Sequence, residues 1–191
     1  MSLQAHAQSL SSSLSQANLS PGSAPLIPDD FTPTTQLNIS FGEKAVELGN
    51  LFRVSEVKSA PSISFEKEAD TPDSQIYTLL LVDPDAPTPD DPKFAYWRHW
   101  VVSGLKASET ITDAPALTEY LGPGPKDDSR PHRYLLLLFR EPEGLSLSKE
   151  DVGGEEFVQR RSFKAADWVR EHGLVLVGVN WFLGAGDGWK E

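Results

Sequence analysis

The chain has 191 residues, of which 39% are hydrophobic and 24% are charged, with a formal net charge of −11 and no cysteine. This length and composition predict one globular domain rather than a disordered chain. The negative charge argues against binding to nucleic acid, which needs Lys and Arg to neutralise phosphates, and the lack of cysteine excludes disulfides, thiol catalysis and zinc sites of the Cys type.

The first 20 residues contain no Lys or Arg and no long apolar run. They therefore lack the features of a secretory signal and of a mitochondrial presequence. No run in the sequence approaches the roughly 18 apolar residues of a membrane-spanning helix. We expect a cytoplasmic protein without integral membrane association.

The N-terminal segment has an apolar stripe with helical spacing, followed by a stretch rich in Pro and Gly. This pattern predicts a helix, weakened by its many Ser residues, on a short tether. We expect residues 1–24 to form an arm and linker, and residues 25–191 to form the folded domain. Two interpretations stay open: a packing helix or frayed tail, or a detachable arm that engages a partner through the stripe residues Leu3, Ala7, Leu10 and Leu14.

The middle and end of the chain are dominated by strand-like patterns. Alternating apolar residues predict half-buried strands in residues 35–41 and 61–66. Denser apolar runs predict central strands covered on both faces. These runs span residues 75–82, 99–105, 132–139 and 174–183.

One later segment, residues 162–173, is typical of a helix, with Ser162 as its N-cap and Gly173 at its C-terminal end. Strands with one or two inserted helices, and without regular helix–strand alternation, predict a mainly β fold. We expect a mostly antiparallel, Greek-key arrangement.

Polar side chains cluster where the dense runs begin or end. Asp83 and Asp85 come just after the run that ends at Val82. Because they are two residues apart, we expect their side chains to point the same way. His132 and Tyr134, also two apart, begin another run, and His99 begins a third. Each of these runs therefore places polar groups at one of its ends.

Loops rich in Pro and Gly flank these positions. Pro87 stiffens the chain and is a candidate for a cis peptide bond, while Gly122 and Pro123 begin a loop poor in side chains that lets a ligand approach the backbone. An imidazole beside a carboxylate is favoured as imidazolium, which can donate to a phosphate or carboxylate oxygen, as can the Tyr134 hydroxyl. The residues predict a small pocket for an anion rather than a catalytic centre.

The stretches DPDAP (83–87), WRHW (97–100) and GPGPKDDSRPHRYLLLLF (122–139) resemble the two signature blocks of the phosphatidylethanolamine-binding protein family. The resemblance spans residues 25–183. It implies a central antiparallel sheet flanked by a smaller sheet and helices, with a shallow pocket for phosphate-type headgroups, and it matches Arg133 to the second block. The predicted ligand-binding residues are Asp83, Asp85, Pro87, Trp97, His99, Gly122, Pro123, His132 and Tyr134.

The N-terminal arm, with a chain that ends soon after the last apolar run, is similar to the fungal carboxypeptidase Y inhibitor branch of that family. This branch implies inhibition of a vacuolar serine carboxypeptidase through the N-terminal segment. It also implies N-terminal acetylation, with which the Met-Ser start is compatible, and an open pocket without a C-terminal helix at its rim. The vacuole thus becomes a second candidate location beside the cytoplasm.

Other functions stay open. A phospholipid-headgroup-binding modulator of kinase or small-GTPase signalling would use the same pocket without inhibiting a protease. A metal-dependent enzyme could use the same histidines and aspartates as ligands, although no HxH or HExxH spacing supports it. A triad of Ser129, His132 and an Asp lacks the glycines of a nucleophile elbow, and GAGDG (184–188) lacks the helix that dinucleotide binding needs. We expect no enzymatic activity, cofactor or metal.

Overall fold

The computed structural model of the chain describes residues 2–22, 24–111 and 116–191. In this part of the chain the α-helices are α1 (Leu3–Gln16), α2 (Lys149–Val152) and α3 (Ala165–Glu171). The strands are β1 (Leu37–Phe41), β2 (Lys44–Ala45), β3 (Leu51–Arg53), β4 (Ser62–Phe65), β5 (Tyr77–Asp83), β6 (Trp97–Leu105), β7 (Ala116–Thr118), β8 (His132–Arg140) and β9 (Val175–Ala185). None of these helices has the length and apolar character needed to cross a lipid bilayer.

Two sheets form the framework. The central sheet has the strand order β3-β9-β8-β5-β6-β7, and the smaller sheet has the order β2-β1-β4. Neighbouring strands are antiparallel, apart from β3 and β9, which run parallel. The predicted mainly β fold, with a larger and a smaller sheet and few helices, is confirmed.

The central sheet has an apolar cluster on each face, because successive side chains of a strand point to opposite sides. Leu79 and Leu81 of β5 pack in the cluster that includes the smaller sheet. Leu80 and Val82 of the same strand pack in the cluster that includes α1 and α3. All seven residues of β5 are buried, which explains why its sequence is a continuous apolar run.

The N-terminal helix packs on the helical side of the central sheet. Leu10 and Leu14 of α1 are buried there, and Leu19, Leu26 and Ile27 from the following segment join the same cluster. The structure therefore shows the predicted helix in a docked arrangement. Met1 and Ser23 of the predicted arm lie outside the described residues.

The helix predicted over residues 162–173 is shorter than expected. It begins at Ala165, and Ser162 is not its N-cap, because the backbone N–H groups of Ser162 and Phe163 donate to the carbonyls of Phe94 and Tyr96. Gly173 follows the helix in the left-handed conformation, with φ of 63°, as predicted.

Three short strands were not predicted. These strands, β2, β3 and β7, are two or three residues long. A segment of that length is too short to show an alternating apolar pattern, and it becomes a strand only because a neighbouring strand is available for hydrogen bonding.

Candidate functional site

A cavity of about 390 Å³ opens at the end of the central sheet where β5 ends and where β6 and β8 begin. Because β5 is antiparallel to both neighbours, its last residues lie beside their first ones: Asp83 is paired with Trp97, and Val82 with Leu135. The structure brings the following predicted residues into the lining of this cavity: Asp83, Pro87, Trp97, His99, Gly122, His132 and Tyr134.

His132 has hydrogen-bond partners at both ring nitrogens. Its Nδ1 lies 2.8 Å from Asp83 Oδ2, and its Nε2 lies 3.2 Å from Ser129 Oγ. Since a carboxylate only accepts, Nδ1 carries a proton, and in the neutral ring Nε2 accepts from the Ser129 hydroxyl. Asp83 and Ser129 therefore fix the orientation and tautomer of this imidazole.

The order Ser129, His132, Asp83 is also that of a hydrolytic triad. A nucleophile, however, must face the space where a substrate binds. Ser129 is buried and is absent from the cavity lining. Its Oγ also lies 3.0 Å from the Arg130 carbonyl oxygen, which is the alternative acceptor of its single proton. The arrangement is better suited to holding His132 in place than to attacking a substrate.

His99 differs from the sequence-based expectation. Its Nδ1 lies 2.6 Å from the carbonyl oxygen of Leu121, so Nδ1 donates there and Nε2 of the neutral ring is an acceptor. Burial lowers the pKa of His99 and outweighs the opposite effect of the nearby Asp83 carboxylate. The direction of this pKa shift is opposite to the one expected for an imidazole beside a carboxylate.

Tyr134 lies between the two histidines. Its ring centroid is 6.1 Å from that of His132 and 5.3 Å from that of His99. Burial raises the pKa of the Tyr134 hydroxyl well above its ordinary value, so the group stays protonated and can donate. Gly184 of β9 makes room for this ring, because a Cβ at that position would lie 2.4 Å from Tyr134 Cε2. The first glycine of GAGDG therefore has a packing role.

An apolar rim borders the cavity. Phe157 is 60% exposed and contacts the Trp97 ring with a centroid separation of 4.6 Å, and Leu121 is 37% exposed. The indole N–H of Trp97 is buried and has no hydrogen-bond partner among the described residues. Phe157 and Leu121 thus give the mouth of the cavity an apolar surface.

Gly124 and Pro125 also line the cavity, and they belong to the loop that the sequence predicted for the approach of a ligand. Four further residues of the lining were not singled out from the sequence: Ala86, Leu121, Lys126 and Phe157. Most of them adjoin residues of the predicted loops, so their position in the sequence was a usable signal. Phe157 carried no such signal, because it reaches the cavity from a segment far along the chain.

Asp85 and Pro123 are the two predicted ligand-binding residues that the lining does not include. β5 ends at Asp83, and the chain turns at once, with the Asp85 N–H donating to Asp83 Oδ1 over 2.7 Å. The expectation that both carboxylates point the same way is wrong because it assumed an extended chain through Asp85. The Asp85 carboxylate instead binds Arg133, which precedes Tyr134 and points to the other side of β8.

The predicted partner-binding stripe is divided by the packing of α1. Leu10 and Leu14 are buried, Ala7 is partly exposed, and Leu3 is 41% exposed. His6 is also buried on this face, and its Nε2 has no hydrogen-bond partner within the described ranges. In the docked state the stripe residue with the most exposed side chain is Leu3, at the beginning of the helix.

The polar groups of the site show no sign of a metal centre. In residues 2–22, 24–111 and 116–191, no three His, Cys, Asp or Glu side chains converge in a way that could hold a metal ion. The carboxylate of Asp83 already accepts from His132 and from the Asp85 backbone.

Comparison with known proteins agrees with this arrangement. A family model described as phosphatidylethanolamine-binding protein matches residues 28–182. The crystal structure of a carboxypeptidase Y inhibitor complexed with its cognate proteinase is similar, with 26% identity and a TM-score of 0.81 over 95% of this chain and 97% of that chain.

Two further solved structures are phosphatidylethanolamine-binding proteins of malaria parasites. The protein from Plasmodium vivax has 25% identity and a TM-score of 0.75, over 93% of this chain and 97% of that chain. The protein from Plasmodium falciparum has 26% identity and a TM-score of 0.72, over 91% of this chain and 95% of that chain.

Proposed function

The chain belongs to the phosphatidylethanolamine-binding protein family, and on that premise we propose that it is a non-catalytic protein that inhibits a serine carboxypeptidase of the carboxypeptidase Y type. Inhibition acts through the N-terminal segment, and the cavity beside His99 and His132 binds an anionic phosphate or phospholipid headgroup.

The extent of the structural similarity supports the role of the N-terminal segment. The family match begins only at residue 28, whereas the match to the carboxypeptidase Y inhibitor covers 95% of the chain. That coverage leaves out about 10 residues, which is fewer than the 27 that precede the family match. The similarity to a known protease inhibitor therefore extends into the N-terminal segment, as do the matches to the two Plasmodium proteins. The higher TM-score of the inhibitor, 0.81 against 0.75 and 0.72, is the observation that carries the proposal.

The packing of α1 indicates which part of the segment would meet the protease. Leu10 and Leu14 anchor the helix on the central sheet, while Leu3 remains exposed at its beginning. Ser2 caps the helix by accepting from the Ala5 N–H over 3.2 Å. A docked helix of this kind presents its first turn in a defined position, which lowers the entropy cost of binding.

The chemistry of the cavity supports a phosphate-type ligand. The Tyr134 hydroxyl can donate to a phosphate oxygen, and Lys126 at the lining adds a positive charge. A phosphate monoester has its second pKa near 6, so part of it carries a P–OH near neutral pH. Such a group can donate to Nε2 of the neutral His99.

The inhibitory role is tested by titrating carboxypeptidase Y with the full chain, prepared with and without N-terminal acetylation. We expect Leu3→Ala to weaken inhibition at least about fivefold, as for an interface residue worth about 1 kcal/mol. Val175→Ala is the matched control, since Val175 is an equally exposed apolar residue on β9. Absence of inhibition by the acetylated full chain would contradict the protease role.

A signalling role is the second candidate, because the residues that line the cavity come from β5, β6, β8 and nearby loops, and none comes from α1. Calorimetry with phosphorylethanolamine tests the cavity separately. Binding that is weakened by both His99→Ala and His132→Ala, without any protease inhibition, would favour this candidate. Binding unchanged in both variants would remove the cavity from either function.

A further inference from the structure

Arg133 connects the N-terminal helix to the β core. Its Nη1 donates to the carbonyl oxygens of Ala17 and Asn18, just after α1, over 2.8 and 3.3 Å. Its Nη2 and Nε donate to the two carboxylate oxygens of Asp85 over 2.6 and 2.9 Å. One guanidinium therefore holds the end of the helix and a buried carboxylate at the same time.

Asp85 is in turn connected to the cavity. Its backbone N–H donates to Asp83 Oδ1 over 2.7 Å, and Asp83 Oδ2 accepts from His132 Nδ1 over 2.8 Å. The Arg133 N–H also donates to Asp85 Oδ2 over 2.8 Å. An unbroken set of hydrogen bonds thus leads from an imidazole in the cavity lining to the carbonyl groups that follow α1.

The alternation of β8 makes this connection possible. His132 and Arg133 are neighbours, so their side chains point to opposite faces of the central sheet. His132 lies in the cavity, and Arg133 reaches the helical side. The turn after β5 likewise directs the two aspartates to different partners. Asp83 is bound to His132, and Asp85 is bound to Arg133.

The Asp85–Arg133 pair lies between the cavity and the end of α1, where it can pass a change in the position of one to the other. The Asp85 side chain is 3% exposed and that of Arg133 is 19% exposed, so water cannot readily replace either partner. The fork of the guanidinium requires Asp85 and the helix end to keep their relative positions. A ligand that orders Asp83 and His132 also orders the turn that carries Asp85.

We propose that Arg133 is a positioning residue that couples the cavity to the N-terminal helix, so that a ligand in the cavity and the docked state of α1 stabilise each other. The consequence for the protease rests on the proposed function, whereas the coupling itself concerns this chain alone. Linkage makes the effect reciprocal, and coupling between two sites is typically 5-fold to 150-fold.

The first test measures amide hydrogen exchange of α1 in the full chain, with and without saturating phosphorylethanolamine. Exchange in β8 is recorded in parallel, so that a change in global stability is recognised. We expect the ligand to slow exchange in α1 at least fivefold relative to β8. Arg133→Lys keeps the charge beside Asp85 but loses the fork, and should abolish this slowing while calorimetry still detects bound ligand.

Ser13→Ala is the matched control. The Ser13 hydroxyl accepts from the Trp181 indole N–H over 3.1 Å, so this substitution loosens α1 at a contact outside the network. We expect faster exchange in α1, with the slowing by ligand retained. Ligand-induced slowing that persists in Arg133→Lys, or that is absent from the unmodified chain with bound ligand, would overturn the proposal.

A second test needs no ligand. Asp83→Asn alters the cavity end of the network, and should accelerate exchange in α1 relative to β8. His99→Gln alters the same cavity outside the network and should leave that ratio unchanged. Equal effects of the two substitutions would overturn the coupling. Failure of phosphorylethanolamine to bind would instead count against the ligand of the proposed function, and this second test would still decide the coupling.

Discussion

At the scale of single residues, two histidines in one cavity have different chemistry. His132 is held by Asp83 and Ser129 through both ring nitrogens, whereas His99 donates to a backbone carbonyl and keeps one nitrogen as an acceptor. The difference follows from the partners of each ring rather than from the residue type. Burial lowers the pKa of His99, so folding favours its neutral form.

The stability of the protein should therefore decrease as the pH falls below the ordinary His pKa of 6.5. Folding lowers the pKa of His99, so below pH 6.5 the unfolded chain binds a proton that the folded chain does not. This contribution is present in full above pH 6.5 and is lost as the pH falls towards the folded pKa. One such proton gives a slope of up to about 1.4 kcal/mol per pH unit.

Urea unfolding between pH 7.5 and 5 measures this slope. We expect His99→Gln to give a shallower decrease in the free energy of unfolding than the unmodified chain. Burial also lowers the pKa of His6, so His6→Gln should flatten the curve as well, and the double variant should flatten it further. An unchanged slope in His99→Gln would show that folding does not lower the pKa of His99.

At the scale of elements, the packing of α1 decides which residues of its apolar stripe are buried and which stay exposed. The spacing of its apolar residues correctly predicts a helix, and the same residues could have served a partner or the core. Leu10 and Leu14 are buried against the chain itself, while Leu3 stays exposed. The structure thus shows a packing role for Leu10 and Leu14, whereas binding of a partner by Leu3 stays a prediction.

Leu10→Ala should accordingly destabilise the whole domain. Leu10 is 1% exposed and packs in the cluster on the helical side of the central sheet. Removing a buried Leu side chain typically costs about 2–5 kcal/mol. Denaturant unfolding measures the change, with Leu3→Ala as control, for which we expect a change within about 0.5 kcal/mol. Similar small effects of both substitutions would mean that α1 is undocked in solution.

At the scale of the whole molecule, the central sheet lies between the smaller sheet and the helices and packs against both. Its two faces hold separate apolar clusters, one with the smaller sheet and one with the helices. Strands such as β5 and β8 contribute side chains to both clusters. Neither cluster can open without exposing residues of the same buried strands, which favours one cooperative unit.

Thermal unfolding should therefore show one transition in which α1 melts together with the sheets. For 191 residues we expect an unfolding enthalpy of about 130 kcal/mol near 60 °C. Calorimetry and far-ultraviolet circular dichroism should give the same midpoint, and calorimetric and van't Hoff enthalpies should agree. A separate loss of helical signal at lower temperature would contradict the cooperative unit and favour a detachable arm.

Much of the fold was predictable because its central strands are continuous apolar runs, which few other arrangements can bury. The ends of those runs also identified the polar residues Asp83, His99, His132 and Tyr134 of the cavity lining, since antiparallel pairing brings the end of one strand beside the beginning of the next. The motifs around His99 and His132 correctly indicated the family, which the match over residues 28–182 confirms. Short strands such as β3 carried too little local signal to be predicted.

The amino-acid sequence by itself determined which segments are buried, which polar residues stand at their ends and which family the chain belongs to, because these properties are local. Tertiary structure alone decided the different partners of Asp83 and Asp85, the lowered pKa of His99, the approach of Phe157 to the cavity and the docking of α1. Each of these depends on a contact between distant segments or on burial, and neither is encoded in the residues that lie next to one another in the chain.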